Sequence, residues 1–138
     1  MEEGKQGEME ELLLTPLTQV WDQVIMIPVV GLLDSVRTQR ILEMALSGIQ
    51  AYRAKVLILD IMGVAVVDEA VASHILKISE AARLMGCHCL LTGVSPDIAR
   101  TVVEQGVDLR GIATHSSLRD GLEAAFEILG LEVRKAGG

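Results

Sequence analysis

The chain has 138 residues, half of them hydrophobic, and a net charge of −7 at pH 7. One Trp, one Tyr and one Phe are its only aromatic residues. The negative charge argues against binding to a phosphate backbone, and the scarcity of rings argues against base stacking. No apolar run reaches the roughly 20 residues that span a bilayer. We therefore expect a cytoplasmic protein with one large aliphatic core and no nucleic-acid or membrane partner.

Hydrophobic periodicity and turn residues predict nine elements after an acidic leader at residues 1–16. The strands are expected at 17–20, 23–31, 56–59, 88–92 and 109–113. The helices are expected at 34–52, 68–85, 95–106 and 116–129, and a tail follows at 131–138. Strands that alternate with helices in the order ββαβαβαβα indicate an α/β fold with a mostly parallel or mixed sheet.

Turn and cap residues refine these elements. Trp21 and Asp22 predict a tight turn between the first two strands. Pro28 favours an edge position or a bulge within the second strand, because proline cannot donate to the ladder. Ser95 and Pro96 predict a helix start, since a hydroxyl N-cap is followed by proline at the first helical position.

The second predicted helix begins with two carboxylates, Asp68 and Glu69. A helix N-terminus presents unpaired N–H groups and the positive end of the helix dipole, so it stabilises negative charge. The same physics would stabilise a phosphate group there. One face of this helix is apolar, with Val71, Ile75, Ile78, Ala82 and Met85, and the opposite face has Glu69, Ser73, Lys77, Glu80 and Arg83.

Cys87 and Cys89 flank His88, which raises the question of a zinc site. Structural zinc needs four ligands, commonly from two separated pairs, and the sequence has no second cysteine pair. Alternate residues of a strand face opposite sides, so the two thiols share one face and His88 takes the other. We expect reduced, buried thiols, no metal and no other cofactor.

The sequence contains no enzyme motif that we recognise. It has no Walker or dinucleotide-binding pattern, and residues 93–97 lack the spacing of a nucleophile elbow. A phospho-receiver domain would share the α/β architecture and could use Asp60 as its acceptor, but no acidic pair or strand-end lysine accompanies that residue. We therefore expect a protein that is not an enzyme.

Three segments together resemble the STAS-domain family, the fold of anti-sigma factor antagonists. They are VIMIPVVGLLDSVRTQRIL (24–42), LILDIMGVAVVDEAVASHIL (57–76) and CLLTGVSPDIARTVVEQGVDL (89–109). Within the family, the chain is most similar to the R-type subunits of the stressosome, a bacterial stress-sensing assembly. The resemblance implies a STAS domain at 17–130, with about five strands and four to five helices.

The resemblance also implies a switch at the start of the second helix. In this family, a partner kinase adds phosphate to an Asp-Ser or Asp-Thr pair at that position. Here the pair is Asp68 and Glu69, so the usual acceptor is replaced. Met62 likewise stands where a small hydroxyl residue is common. R-type subunits carry an N-terminal sensor domain, whereas here an acidic leader precedes the first strand, as in a stand-alone paralogue or a piece of a longer protein.

The residues expected to bind partners are Asp60, Asp68, Glu69, Ser73 and Leu76. For three of them a plainer interpretation stands beside this one. Asp60 is then a carboxylate that accepts loop N–H bonds, Asp68 only an N-cap, and Glu69 only a first-turn acid. The sharper interpretation of Glu69 is a permanent mimic of the phosphorylated state.

Thr101 is the candidate for a second phosphorylation site. R-type relatives are described as having a second phosphorylated threonine in this region, and Thr101 is the residue that we align with it. Its helical spacing relative to Asp97, Arg100 and Glu104 predicts a solvent-facing side chain. The alternative is an ordinary exposed threonine.

We expect a non-enzymatic scaffold and regulator in bacterial stress signalling by partner switching. Its expected partners are other STAS-domain subunits and a serine/threonine kinase of the anti-sigma type, for which it is a docking partner and substrate. Leu76 and Ala72, expected on the surface beside the switch, favour a dimer or larger oligomer. The alternative function is a STAS domain that senses a small ligand, a lipid or a nucleotide, which a large apolar pocket would favour.

Overall fold

The computed structural model describes residues 16–137, so the expected acidic leader lies almost wholly outside the described residues. Five strands lie within them: β1 Thr18–Trp21, β2 Val24–Val30, β3 Val56–Gly63, β4 His88–Thr92 and β5 Ala113–Thr114. Four helices follow the last four strands in turn: α1 Ser35–Tyr52, α2 Glu69–Leu84, α3 Pro96–Gln105 and α4 Leu118–Ile128. The predicted α/β order ββαβαβαβα is confirmed.

The five strands form one sheet in the order β1-β2-β3-β4-β5. β1 and β2 are antiparallel, and the remaining neighbours are parallel, so the sheet is mixed. The carboxyl ends of β2, β3 and β4 therefore lie side by side, and each is followed by the N-terminus of a helix. We call this the carboxyl edge of the sheet, which in parallel α/β folds is where functional sites are usually found.

Helices bury the sheet on both faces. α1 and α2 pack against each other over the larger core, and α4 covers a smaller core around Ala125. β3 serves both cores, because Leu57 and Leu59 face the larger one and Val56 and Ile58 the smaller one. This double burial explains why the strand is wholly aliphatic. In residues 16–137, no helix combines the length and apolar character that a membrane crossing needs.

The first hairpin differs by one residue from the sequence prediction. Trp21 belongs to β1, because it pairs with Val24 of β2, and its ring packs edge-on against Phe126 with 5.2 Å between ring centroids. The turn therefore consists of Asp22 and Gln23, and Gln23 has a positive φ of 66°. Pro28 lies where the register between β2 and β3 shifts. Of the two expected features, an edge position or a bulge, the structure has the bulge.

The last strand is shorter than predicted. A strand is expected at 109–113, but β5 consists of Ala113–Thr114 alone. The carboxylate of Asp108 accepts a hydrogen bond from the backbone N–H of Arg110 at 3.0 Å. Such a local bond favours a turn over an extended ladder, which explains why the apolar residues at 109 and 112 do not extend the strand.

Gly93 brings the ends of β3 and β4 into close contact. Its φ is +79°, and a Cβ at this position would lie 2.6 Å from the backbone nitrogen of Met62. The obstructing atom belongs to the backbone, so it cannot swing away as the tip of a side chain could. Glycine is therefore required both by the backbone angle and by the available space.

We predict that Gly93→Ala lowers stability more than Gly86→Ala. Both glycines have positive φ, +79° and +77°, so alanine costs about 1–2 kcal/mol of backbone strain at either site. At Gly86 the added Cβ meets nothing within 4 Å, whereas at Gly93 it meets Met62. Overpacking of this kind adds about 1–3 kcal/mol. Urea unfolding measures both variants, and equal losses would contradict the close contact.

Candidate functional site

The candidate site surrounds the N-terminus of α2. Asp68 has extended backbone angles, and its carboxylate accepts a hydrogen bond from the N–H of Val71 at 2.9 Å. Its carbonyl accepts another from the N–H of Ala72, so Asp68 is the N-cap of the helix. Glu69 follows in the first turn and is exposed, where the helix dipole favours its charge.

Three of the residues expected to bind partners line one groove, which we call the α2 groove. Glu69, Ser73 and Leu76 lie on successive turns of α2, and the groove has a volume of about 450 Å³. The other lining residues are Ala72, Lys77 and Glu80 of α2, and Gly106 and Asp108 on the opposite wall. Glu69 and Glu80 outnumber the single ammonium group of Lys77, and Asp108 is paired with Arg110, so the groove is acidic along α2.

Asp108 supplies the negative charge on the wall opposite α2. Its carboxylate accepts hydrogen bonds from Nε and Nη2 of Arg110 at 3.0 and 3.2 Å, in addition to the backbone bond. These side-chain hydrogen bonds, followed by the backbone bond, lower the pKa of Asp108 to about 2. Asp108 therefore stays ionised and paired with Arg110 throughout the physiological pH range.

Asp60 lies outside the α2 groove and serves the structure of the carboxyl edge. It is half-buried within β3, and its two carboxylate oxygens accept hydrogen bonds from the N–H of Met62 at 3.0 Å and the hydroxyl of Thr92 at 2.8 Å. It borders a second groove of about 340 Å³, which Met26 and Pro28 help to line. These bonds agree with the plainer interpretation of Asp60, a carboxylate that accepts loop N–H bonds.

Two expectations about exposed residues are wrong. Thr101 is half-buried instead of solvent-facing, because it lies three positions after the buried Ile98 and shares part of that side of α3. Ala72 is buried in the larger core, because it lies three positions before Ile75 on α2. Leu76 is half-buried and contributes to the α2 groove.

The cysteine pair does not have the arrangement of a zinc site. Cys87 is buried in the larger core and Cys89 packs against it, whereas His88 is exposed. Burial raises the pKa of Cys87 to about 11 and that of Cys89 to about 12. Among residues 16–137, no group of three or more His, Cys, Asp or Glu side chains is placed to hold a metal ion.

The sequence did not point to the apolar surface of the carboxyl edge. Leu32 and Met62 are 75% and 80% exposed, although each lies close to a buried strand. Gly31 and Gly63, beside these two residues, were an available signal that the strands end there. Arg37, which contacts the same loop, had no signal in the local pattern.

Comparison with known proteins gives one family. The model of the STAS domain matches residues 15–121. The RsbT co-antagonist protein RsbRA of Bacillus subtilis is 43% identical over 116 residues, which are 84% of this chain and 42% of RsbRA. The chain thus spans less than half the length of the curated relatives that it matches most strongly.

Two solved structures share both fold and sequence similarity with the chain. A serine-to-glutamate variant of RsbS from Moorella thermoacetica is 33% identical, with a TM-score of 0.69, and the match covers 85% of this chain and 98% of that one. A chain from the architecture of the stressosome, described as a signal integration and transduction hub, is 31% identical, with a TM-score of 0.66 and coverage of 83% and 98%. The fold that the resemblance implied is confirmed.

We predict that Arg110→Met raises the pKa of Asp108 from about 2 toward its ordinary value of 3.8. A lowered pKa means that Asp108 stabilises the fold above pH 4, and that this contribution is lost as the pH falls from about 4 to about 2. NMR titration of the Asp108 carboxyl carbon measures the shift. Arg119→Met, which removes an exposed arginine that pairs with Glu123, is the control. An unchanged titration in Arg110→Met would contradict the assignment.

Proposed function

Because the chain belongs to the STAS-domain family, we propose that it is a non-enzymatic regulator in bacterial stress signalling by partner switching. In this proposal it acts as an anti-sigma factor antagonist of the stressosome type in the cytoplasm. Its partners are other STAS-domain subunits, with which it assembles, and a serine/threonine kinase of the anti-sigma type. RsbRA, an RsbT co-antagonist by name, and the chain from the stressosome support this choice of partners.

The observation that carries the proposal is the fixed negative charge at the start of α2. Glu69 is exposed beside the N-cap, on the rim of an acidic groove that also presents Ser73 and Leu76. A groove of this kind offers a protein partner both charge and an apolar contact. The geometry therefore favours a docking surface whose charge at Glu69 is permanent.

Glu69 supplies a permanent negative charge, whereas phosphorylation supplies one only after a kinase has acted. A phosphorylated threonine has a charge of about −1.5 to −2 near neutral pH, and glutamate has a charge of −1 at a similar distance from the backbone. The helix N-terminus stabilises either anion. RsbS was solved with glutamate in place of one of its serines, and that variant keeps this fold. We infer that this subunit behaves as if it were always phosphorylated at its first site.

Small-ligand sensing, the alternative function, finds less support. The second groove, beside Asp60, is where a lipid or nucleotide would have room to bind. Its lining residues, all in the described part of the chain, include no Lys or Arg to hold a phosphate. The relatives described above give no support to this alternative.

We predict that Glu69→Thr creates a phosphorylation site and changes partner affinity. The probe is RsbT of Bacillus subtilis, which the proposal takes as the kinase because RsbRA is its co-antagonist by name, and it is supplied with Mg-ATP. The measurements are mass spectrometry and titration calorimetry. The unmodified threonine variant should bind with a different affinity from the wild type, and phosphorylation should restore the wild-type value. Glu69→Gln is the matched control, because it removes the charge without adding a hydroxyl group. No new phosphosite and unchanged affinity would show that Glu69 is only a helix-start acid.

We predict that the same incubation places phosphate on Thr101 of the wild-type chain. Peptide mass spectrometry locates the modification, and Thr101→Val should remove it. Because Thr101 is half-buried, the phosphorylated chain should also unfold at a lower temperature, since a doubly charged group disturbs the packing of α3. A chain whose Thr101 remains unmodified while the kinase is active on Glu69→Thr would contradict this site alone.

A further inference from the structure

We propose that Arg37 positions Leu32 as the main anchoring contact for a protein partner at the carboxyl edge. The inference rests on the proposed function, because it names contacts for the kinase partner of that proposal. It concerns a surface at the start of α2 that shares Glu69 with the α2 groove. Leu32 contributes little to either core, and yet the protein holds its backbone firmly.

Arg37 fixes the loop between β2 and α1. Its Nη1 donates hydrogen bonds to the carbonyls of Val30 at 2.5 Å and Leu32 at 2.7 Å. The N–H of Gly31 donates to the carbonyl of Gly63 at 3.0 Å, and the residue after Leu32 is buried in the larger core. With the backbone held on both sides, the side chain of Leu32 extends outward and is 75% exposed.

Met62 leaves the next strand end and is held in a similar way. Val30 pairs with Gly63 in the register of β2 and β3, so the loop of Leu32 begins beside the end of β3, where Met62 lies. The N–H of Met62 donates to Asp60, and its side chain is 80% exposed. One apolar side chain thus projects from the loop after β2 and another from the end of β3.

Val36 and Val66 extend this apolar surface. Val36 lies in the first turn of α1 and Val66 in the loop before α2, and both are exposed. Single exposed apolar residues are ordinary in globular proteins, but several on neighbouring loops indicate an interaction site. A preorganised anchor also lowers the entropy that binding has to overcome.

Carboxylates border the apolar surface and indicate which partner fits it. Asp34 caps α1 two residues after Leu32, and Asp68 caps α2 two residues after Val66. Both carboxylates are exposed, as is Glu69 beside them. The complementary partner is therefore a protein with an apolar pocket that is bordered by Lys or Arg side chains.

The test measures how tightly RsbT of Bacillus subtilis binds the full chain and four variants. Leu32→Ala removes the anchor, and Arg37→Met removes the guanidinium donors while keeping an unbranched stem as far as the position of Nε. Arg37→Lys restores a donor to the carbonyls and serves as the rescue. Leu84→Ala removes a leucine that is 90% exposed at the far end of α2, which makes it the matched control. Hydrogen exchange at the Gly31 amide reports how firmly the loop is held.

We expect Leu32→Ala to weaken binding about tenfold or more, as truncation of an anchor does. Arg37→Met should weaken binding about three- to tenfold, because the loop must then become ordered on binding. It should also accelerate exchange at Gly31, and Arg37→Lys should recover part of both effects. Leu84→Ala should bind like the wild type, and wild-type binding should weaken as salt screens the bordering charges.

Wild-type affinity in Leu32→Ala, or unchanged exchange and affinity in Arg37→Met, would overturn the inference and leave the proposed function standing. Binding that salt does not weaken would overturn the choice of a basic partner surface. Failure of the wild type to bind RsbT would overturn the proposed function and this inference together. If Arg37→Met does not fold, Leu32→Ala still tests the anchor and Arg37→Lys the positioning role.

Discussion

The hydrogen bond between Thr92 and Asp60 joins the two central strands at the edge on which the candidate surfaces depend. The Thr92 hydroxyl is buried and donates to Asp60 at 2.8 Å, and the second carboxylate oxygen accepts from the N–H of Met62. Hydrogen bonds to charged groups contribute about 1.5–3 kcal/mol each. With Gly93 packed against Met62, the ends of β3 and β4 have one arrangement, and the loop to α2 begins from a fixed point.

A rigid edge explains how this protein can expose apolar side chains without losing order. Leu32 and Met62 are excluded from the core, so their positions depend on polar bonds to the neighbouring backbone. The same edge collects the N-termini of the helices, where carboxylates are stabilised by the dipoles. An apolar centre with an acidic border is thus a consequence of parallel topology as well as of the particular residues.

Local signals explain which parts of the site could be predicted from the sequence. Asp68 and Glu69 were identifiable because a helix start depends on residues three or four positions apart. The opposite wall of the α2 groove was not, because Asp108 is placed by its bonds to Arg110 in a segment whose apolar residues suggest a strand. Arg37 was missed for a similar reason, since its role depends on the carbonyls of a loop that only the folded chain brings within reach.

Under the proposed function, the charge at Glu69 is permanent, so regulation by phosphorylation depends on α3. Thr101 is half-buried on this helix, and the helix ends at Gly106, whose left-handed backbone leads directly to Asp108 on the groove wall. A phosphate at Thr101 would add a charge of about −1.5 to −2 on the side of α3 that packs toward the core. A shift of α3 that exposed the phosphate would relieve this unfavourable burial. The same shift would move the groove wall. One switchable residue could then alter a groove whose charge at Glu69 never changes.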